Sequence, residues 1–501
     1  MYILQRVYSL ILNPISLFTS KINEMIRNAI ILLCCTFIAG FFLAYFDKAN
    51  KELLYRQHGQ NNLICGAALL ILIIISIKAP LRRVKWDKYI FSLMMLAGLG
   101  LVVIGFIHPI GEGYQSFGFM LMFLFPCLYY VWNNRGDYDV LYKSLALATS
   151  IVGFYFYFRV IILALSGELS ELNFRVKAFL YNANMFSMIG MVMICVSLYM
   201  FLVNRGSRSW FILSALSFAI GWDIVRMGVS RLSILVGAGA MLAFAIFWLK
   251  TRDTFTSANT LKSQAIRLAV VVLFTLLFFY VGEALLNINT AVVYRQNNEV
   301  SAEQGDTGSD DAVENSDGEQ EEEPEIPEVE LENQKESATD RFSTDGKDLN
   351  TYTAGRIDIW KRYAAHLNML GNNLDETDFR ELTGCGVRHA HNNFLEYAYR
   401  CGIPVAIIHT LFELYAGIIC LMFLFSKKYK EPYHLFAVVF MVCYAVESLF
   451  DIATVPFERH APFFFYMLLI PVFGRIHDSE REAKKRRKTD TDKLTSTGEY
   501  R

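Results

Sequence analysis

Charged side chains are scarce in this sequence, and their scarcity excludes a soluble globular protein. Lys, Arg, Asp and Glu make up 19% of the 501 residues, whereas hydrophobic residues make up 54% and the mean hydropathy is +0.32. The apolar runs are too long and too many for one buried core, and runs of about 20 residues match the thickness of a bilayer. We therefore predict an all-α polytopic membrane protein of about twelve transmembrane helices. The predicted spans lie at residues 29–46, 63–80, 89–107, 114–132, 140–165, 185–203, 209–225, 231–249, 266–285, 403–425, 433–450 and 461–474.

Lys and Arg concentrate in alternate loops once twelve spans are counted, and this pattern orients the chain. The N-terminal cytoplasmic or interfacial segment, residues 1–28, and the basic tail, residues 475–501, fall on the basic side. Both termini are therefore predicted to be cytoplasmic. Spans one to nine then occupy residues 29–285 and spans ten to twelve occupy residues 403–474. Residues 286–402 form a mostly helical extracytoplasmic loop between helices 9 and 10.

Basic and aromatic residues are absent from one part of this loop. Residues 299–334 contain fifteen Asp and Glu but no Lys, Arg, Phe, Tyr or Trp. Such a segment cannot bury enough apolar surface to fold, so we predict a disordered acidic insertion over residues 297–350 and an ordered part over residues 351–402. The rest of the chain has more bases than acids, as cytoplasmic loops require, and nothing indicates nucleic-acid binding.

Metal-binding motifs are also lacking. Seven of the nine cysteines lie in predicted spans, where we expect small core residues, while Cys385 and Cys401 are external and are either disulfide-bonded or both free. His389 and His391, with His366, are an alternative metal site. Alternate residues converge on one ion only in an extended chain, however, and a helix is expected here. The sequence has no His-Glu-x-x-His, so we predict neither a metal nor a cofactor.

The most informative stretch runs from His389 to Pro404. Its apolar residues recur at helical spacing, and Gly402 is a helix stop. His391 and Asn392 are therefore predicted to lie at the N-terminal end of a short helix. Unpaired N–H groups and the helix dipole attract anions there and disfavour an imidazolium. His391 is accordingly a candidate general base beside an anion site.

Three arginines stand on the side of the membrane where positive charge is uncommon. Arg231 begins span eight, at the N-terminal end of that helix. Arg356 lies in the first turn of a predicted amphipathic helix, where the dipole disfavours a cation. Arg175 lies in the loop before span six. An anionic ligand explains cations at these positions, and an incidental surface location is the alternative.

Some of these outward cations also have a structural interpretation. Arg175 is close in sequence to Glu168 and Glu171, and a salt bridge to either is an equal alternative. Arg226, in the turn before span eight, is expected to pair with Asp223. This pairing leaves the arginine that begins span eight available for a ligand.

The chemistry of this set is that of diphosphate recognition. Arginine forks match phosphate oxygens bidentately and stabilise the negative charge of a departing diphosphate. His391 takes the proton of an attacking hydroxyl. The residues thus predict glycosyl transfer, with inversion, from a lipid diphosphate whose tail lies among the spans. Arg175, Arg388 and Asn392 are the further candidate substrate-binding residues.

Three short motifs also resemble one protein family. His391-Asn392 is followed by nine residues and Gly402, Ala354-Gly355-Arg356 is followed by Trp360, and Ser230-Arg231 begins a span. In this order they resemble the O-antigen ligase/O-antigen polymerase superfamily of bacterial envelope glycosyltransferases. The resemblance covers mainly residues 170–410, and the acidic insertion departs from it.

The resemblance implies a location and a mechanism. The protein is expected in the bacterial plasma membrane, with about twelve spans and an extracytoplasmic active site. His391 is then the general base, while Arg231 and Arg356 bind the diphosphate of an undecaprenyl-diphosphate-linked oligosaccharide. Catalysis in this family needs no metal. The expected partners are this lipid-linked glycan, membrane lipids and other polysaccharide-assembly proteins.

Several functions remain open from the sequence. Polymerisation of cell-surface polysaccharide repeat units is favoured because nothing indicates an outer-membrane acceptor, but a ligase that transfers the glycan to lipid A-core or to a protein is the alternative. A transporter or flippase for the same lipid-linked sugars is disfavoured by sparse mid-span charge and the absence of two similar halves. A receptor or adhesion scaffold that binds through the acidic insertion is a third class.

Overall fold

The computed structural model describes most of the chain, including every element named below. The described residues are 1–46, 58–108, 112–169, 171–172, 175–178, 180, 183–203, 207–255, 260–305, 355–372, 389–450 and 461–477. Arg388, Cys385 and residues 306–350 of the predicted acidic insertion lie outside them.

The described elements are almost all helical. In chain order the helices are α1 Tyr2–Thr19, α2 Glu24–Phe46, α3 His58–Ile75, α4 Lys88–Ile107, α5 Glu112–Phe119, the π-helix Met120–Leu124, α6 Phe125–Arg135, α7 Tyr138–Ser166, α8 Ala183–Val203, α9 Arg208–Gly228, α10 Arg231–Phe255, α11 Thr260–Gly305, α12 Arg356–Ala365, α13 Asn393–Cys401, α14 Ile403–Phe425, α15 Pro432–Phe450 and α16 Ala461–Leu468. A two-stranded antiparallel ribbon, β1 Glu171–Leu172 and β2 Arg175–Val176, lies between α7 and α8.

The described helices confirm an all-α, multi-pass membrane protein. Ten segments are long and apolar enough to cross a bilayer, and the shorter apolar helices Leu63–Ile75 and Phe464–His477 coincide with the second and twelfth predicted spans. Helix α8 is the most deeply buried of the ten and packs against α7, α9, α10 and α15. The total of twelve spans and the side that each terminus faces stay predictions.

Helix α11 is much longer than the predicted ninth span, 266–285. It has 46 residues and continues to Gly305, past the predicted limit of the membrane segment at residue 285 and into the first residues of the predicted acidic insertion. The extension packs against the end of α7. The amide of Asn289 donates to Leu169 O at 3.3 Å and accepts from Leu169 N at 3.1 Å, and Gln296 donates to Ser166 O. Apolar periodicity alone does not reveal these contacts.

A buried ion pair ties the last helical segment, residues 470–477, to α4 and α14. Asp87 is 2% exposed and caps α4 by accepting from Tyr89 N at 2.9 Å. It also accepts from Arg475 and from the Tyr415 hydroxyl. Burial raises the pKa of Asp87, but the bonds from Arg475, Tyr89 N and Tyr415 outweigh burial and lower it overall. The carboxylate therefore stays ionised and holds three elements together.

We expect Asp87→Asn to lower the stability of the folded protein by about 1–3 kcal/mol, because it leaves the Arg475 guanidinium without its carboxylate. Thermal unfolding in detergent measures this as a fall of at least about 2 °C in apparent melting temperature. Asp358→Asn is the matched control, since Asp358 is exposed and its ion pair with Lys361 lies at the surface, where such pairs contribute little. Equal melting temperatures for wild type and Asp87→Asn contradict the assignment.

Candidate active site

The short helix predicted after His391 and Asn392 is present as α13. Asn392 has extended backbone angles, and its side chain accepts from Leu395 N at 3.1 Å, so it is the N-cap. Its amide nitrogen also donates to Leu449 O at 3.1 Å, in the last turn of α15. Both ends of the Asn392 amide are thus engaged in holding α13 in place. A role in substrate binding stays a prediction.

The turn that carries the two histidines is tightly held. The rings of His389 and His391 lie 6.4 Å apart at 88°. Ala390 between them is fully buried with Tyr363 and Tyr399. His391 has a backbone φ of +48°, in the left-handed region that costs an ordinary residue about 1–2 kcal/mol. The imidazole of His391 therefore projects from a strained turn directly before a helix N-terminus.

Helix α12 brings Arg356 to the same region. Arg356 is its first residue. Two turns later, the Tyr363 ring packs on Tyr399 of α13 with ring centroids 5.0 Å apart. Trp360, one turn after Arg356, has its ring 6.5 Å from the ring of Phe450, the last residue of α15. The N-terminal ends of α12 and α13 thus both lie at the C-terminal end of α15.

Arg231 reaches this end through the packing of α10 on α15. A Cβ placed on Gly239 lies 3.0 Å from Cγ1 of Val442, so the two helices touch there. They are antiparallel, because Lys250 near the end of α10 donates to Tyr429 O just before the start of α15. Arg231 precedes Gly239 by eight residues, and Phe450 follows Val442 by eight. At 1.5 Å per residue both are about 12 Å from the contact, which puts Arg231 level with Phe450. Packed helices are about 8–10 Å apart, so Arg231 belongs to the same region.

Arg175 has a different position from the other two arginines. Its Nε donates to Gly228 O at 3.0 Å, and its Nη2 donates to Asn184 Oδ1 at 2.6 Å. It therefore links β2 to the start of α8 and to the turn before α10. These contacts favour a structural role in supporting the turn that carries Arg231, and its predicted substrate contact stays a prediction.

The predicted pairing of Arg226 with Asp223 is confirmed. The two side chains are 3.1 Å apart, and Arg226 also pairs with Glu283 at 2.9 Å. Asp223 is fully buried and accepts a hydrogen bond from the Tyr157 hydroxyl at 2.7 Å. Arg226 and Asp223 thus connect α9 to α7 and α11.

Gly402 is fixed by a backbone crossing. Its φ of +86° and ψ of 155° lie in a region that is essentially restricted to glycine, and a Cβ there would overlap Met369 O. The neighbouring Ile403 N donates to Asn368 O at 3.0 Å, and Asn372 N donates to Tyr399 O at 2.9 Å. The loop after α12 therefore lies directly on the junction between α13 and α14.

An apolar groove opens beside this region. It is a cavity of about 440 Å³ between α14 and α15, and Asn392, Asn393 and Ser448 line its end near His391. Asn393 donates to the Ser448 hydroxyl there at 2.8 Å. Most of the remaining lining is aliphatic or aromatic and continues along α14 to Leu424. The groove has the shape and chemistry to receive a hydrocarbon chain.

Neither a metal centre nor a disulfide is seen in the part of the chain that the structure describes. No three His, Cys, Asp or Glu side chains there are grouped as ligands. Cys401 is a buried free thiol at the end of α13. Its proposed partner, Cys385, lies outside the described residues, as does the candidate substrate-binding residue Arg388.

Comparison with protein-family models gives no match, and neither does comparison with curated proteins. The resemblance to O-antigen ligases and polymerases therefore rests on the motifs at Arg231, Arg356 and His391. The geometry attaches α12 and α13 to the C-terminal end of α15, beside an apolar groove, and the helix rise puts the start of α10 at about the same level. That arrangement suits an anionic group attached to a long apolar chain.

We expect Gly402→Ala to destabilise the protein by at least about 3 kcal/mol, because the new Cβ meets Met369 O in a glycine-only conformation. Gly355→Ala is the matched control. Gly355 also has a positive φ, +75°, but a Cβ there has no atom of the described residues within 4 Å, so only about 1–2 kcal/mol is expected. The yield of monodisperse protein and its melting temperature measure both. Similar losses for the two variants contradict the crossing at Gly402.

Proposed function

We propose that the protein is an inverting glycosyltransferase of the bacterial plasma membrane, similar to O-antigen polymerases. Its donor is an oligosaccharide on undecaprenyl diphosphate, and it extends a cell-surface polysaccharide of the O-antigen, capsule or exopolysaccharide type. The observation that carries this proposal is the convergence of three helix N-terminal ends at the end of α15. These ends belong to α10, α12 and α13 and carry Arg231, Arg356 and the His391–Asn392 pair.

The convergence supports binding of a diphosphate. Each helix N-terminus presents unpaired N–H groups and the positive end of a dipole, which favour an anion. Arg231 and Arg356 begin two of these helices, where the dipole disfavours a cation and a bound anion offsets that cost. Together they offer two guanidinium forks for phosphate oxygens. The negative charge of a departing diphosphate is stabilised by the same groups.

The groove between α14 and α15 supports a lipid-linked donor. Its polar mouth shares Asn392 and Asn393 with the proposed anion site, and its interior is mostly apolar, with Thr410 and Glu413 as the polar lining residues. Thr410 to Leu424 of α14 cover about 21 Å along the helix axis. A prenyl chain in this groove leaves its diphosphate at the mouth, beside the three helix ends. The rest of the long chain then extends into the lipid.

His391 completes the proposed reaction as general base. A hydroxyl of the acceptor sugar attacks the anomeric carbon and gives its proton to the imidazole. The new carbon–oxygen bond forms as the bond from the anomeric carbon to the diphosphate oxygen breaks. The electron pair leaves with the lipid diphosphate, and the configuration at the anomeric carbon inverts. The acceptor in a polymerase is a second lipid-linked repeat, and in a ligase it is lipid A-core or a protein.

A lipid-linked oligosaccharide transporter is the second candidate, and one observation favours it. His409 and Glu413 lie inside α14 with Nδ1 and Oε1 3.6 Å apart, and the His409 ring contacts the Tyr466 hydroxyl at 3.0 Å. Polar pairs within a span are typical of transport pathways. A transporter has no need of a base at His391, so variants of His391 separate the two functions.

We expect His391→Ala to reduce polymer formation by about 10²–10⁴-fold, because the attacking hydroxyl loses its base. Purified protein in liposomes with the lipid-linked repeat measures the rate, and a gel ladder shows the chain lengths. His366→Ala is the control, and its rate should equal that of wild type. Equal loss in both variants favours the metal site, and full activity of His391→Ala contradicts the proposal.

The acceptor is identified by the glycan ladder of cells that lack the protein. Loss of chain elongation indicates a polymerase. Long chains that accumulate on the carrier lipid indicate a ligase.

We expect Gly417→Leu to raise KM for the lipid donor by at least about tenfold, equivalent to about 1.4 kcal/mol, because the side chain fills the groove. Gly417 lines the groove, and within the described part of the chain no atom lies within 4 Å of a Cβ placed there, so the backbone need not move. Gly40→Leu on α2 is the control, since its Cβ makes only an ordinary contact with Val152. An unchanged KM in Gly417→Leu means that the lipid binds elsewhere.

A further inference from the structure

The carboxylate of Glu396 on α13 is completely buried next to the histidine turn. Its Oε2 accepts from Ala390 N at 2.8 Å. Its Oε1 accepts from Arg400 Nε, one turn further along the helix. A buried carboxylate is costly unless its oxygens are bound, and here a backbone amide and a guanidinium bind one oxygen each. The group is therefore fixed in a single orientation.

The amide that Glu396 binds is the centre of the histidine turn. Ala390 separates His389 from His391, and its methyl group is buried under Tyr363 and Tyr399. The next residue, His391, is held at a φ of +48°. A conformation of this kind persists only where the surrounding structure over-determines it.

Two anchors flank His391 and satisfy this requirement. On one side Glu396 holds the N–H of Ala390. On the other side Asn392 caps α13 and donates to Leu449 O of α15. Asn392 fixes the turn to the membrane bundle, whereas Glu396 fixes the turn to the helix that follows it. Loss of Glu396 leaves His391 free to relax toward an ordinary backbone conformation.

We propose that Glu396 is a positioning residue that aims the His391 imidazole at the acceptor hydroxyl, with Arg400 orienting the carboxylate. The inference rests on the proposed function in one respect, namely that His391 is the base. Misplacement of a reacting group by about 1 Å can cost about 10²-fold in rate. Because Glu396 is buried behind the turn, its loss should act on the chemical step and leave donor binding intact.

The kinetic test compares two substitutions at Glu396 in the full-length protein in liposomes. Glu396→Ala removes the oxygen that accepts the hydrogen bond from Ala390 N. We expect kcat to fall about 100-fold with KM for the lipid donor unchanged. Glu396→Gln keeps an oxygen that can accept from Ala390 N, so we expect kcat within about tenfold of wild type. A purely structural role predicts equal loss in all variants, in proportion to the fraction of protein that is folded.

A second readout does not depend on glycan transfer. Diethyl pyrocarbonate modifies imidazole nitrogens, and mass spectrometry of peptides gives the rate at each histidine. We expect Glu396→Ala to change the rate at His391 several-fold and Glu396→Gln to leave it near the wild-type rate. His366, on the loop after α12, is the internal control and should react equally in all variants.

The two readouts separate the possible failures. Wild-type kcat and wild-type His391 labelling in Glu396→Ala overturn the positioning role. Altered labelling together with an active His391→Ala variant keeps the geometric role but rejects the proposed function. If Glu396→Ala does not fold, Glu396→Asp replaces it. The shorter side chain of aspartate moves the carboxylate away from Ala390 N by one methylene but keeps its charge. Changed kcat and labelling in Glu396→Asp support the proposal, and wild-type values overturn it.

Discussion

The last turn of α15 is the point to which the segment between α11 and α14 is attached. A helix ends with four carbonyl groups that have no partner within the helix. One of these, Leu449 O, accepts from Asn392, the cap of α13. Ser448 accepts from Asn393, and Phe450 meets Trp360 of α12. The end of α15 thereby holds the two short helices α12 and α13 in place.

This attachment has an electrostatic result. The C-terminal end of α15 carries a partial negative charge, and the starts of α12 and α13 carry partial positive charges. Helix α10 is antiparallel to α15, so its N-terminal end adds a third partial positive charge at this level. The opposite charges stabilise the docking. The excess of positive ends at this point supports the proposed binding of an anion.

The parts of the fold that depend on local chemistry were predictable from the sequence. Helix α13 begins after Asn392 because an asparagine cap follows the histidines, and it ends before Gly402 because only glycine adopts that backbone conformation. Helix α14 spans the predicted residues 403–425. Both predictions use signals within a few residues of the boundary.

Other features depend on contacts between distant residues. Helix α11 continues beyond residue 285 because Asn289 bonds both backbone groups of Leu169, 120 residues earlier. The guanidinium of Arg175 binds a backbone carbonyl at Gly228, and no sequence pattern marks that carbonyl as a partner. The residues that line the groove are of the same types as those on any lipid-facing surface, so their sequence does not distinguish them. Glu396 is not among the site residues predicted from the sequence, although its four-residue spacing from Arg400 is a recognisable helical ion-pair pattern.

The length of α11 has a consequence for the acidic residues that follow it. Asn289 is level with the end of α7, and the helix continues for sixteen residues beyond it, which is about 24 Å. Charges in physiological salt are screened over about 8 Å, so this distance is about three screening lengths. The helix thus works as a spacer, and the acidic residues beyond Gly305 are joined to the chain about 24 Å past the end of α7. A strongly negative segment and the proposed anion-binding site can therefore be kept apart within one chain.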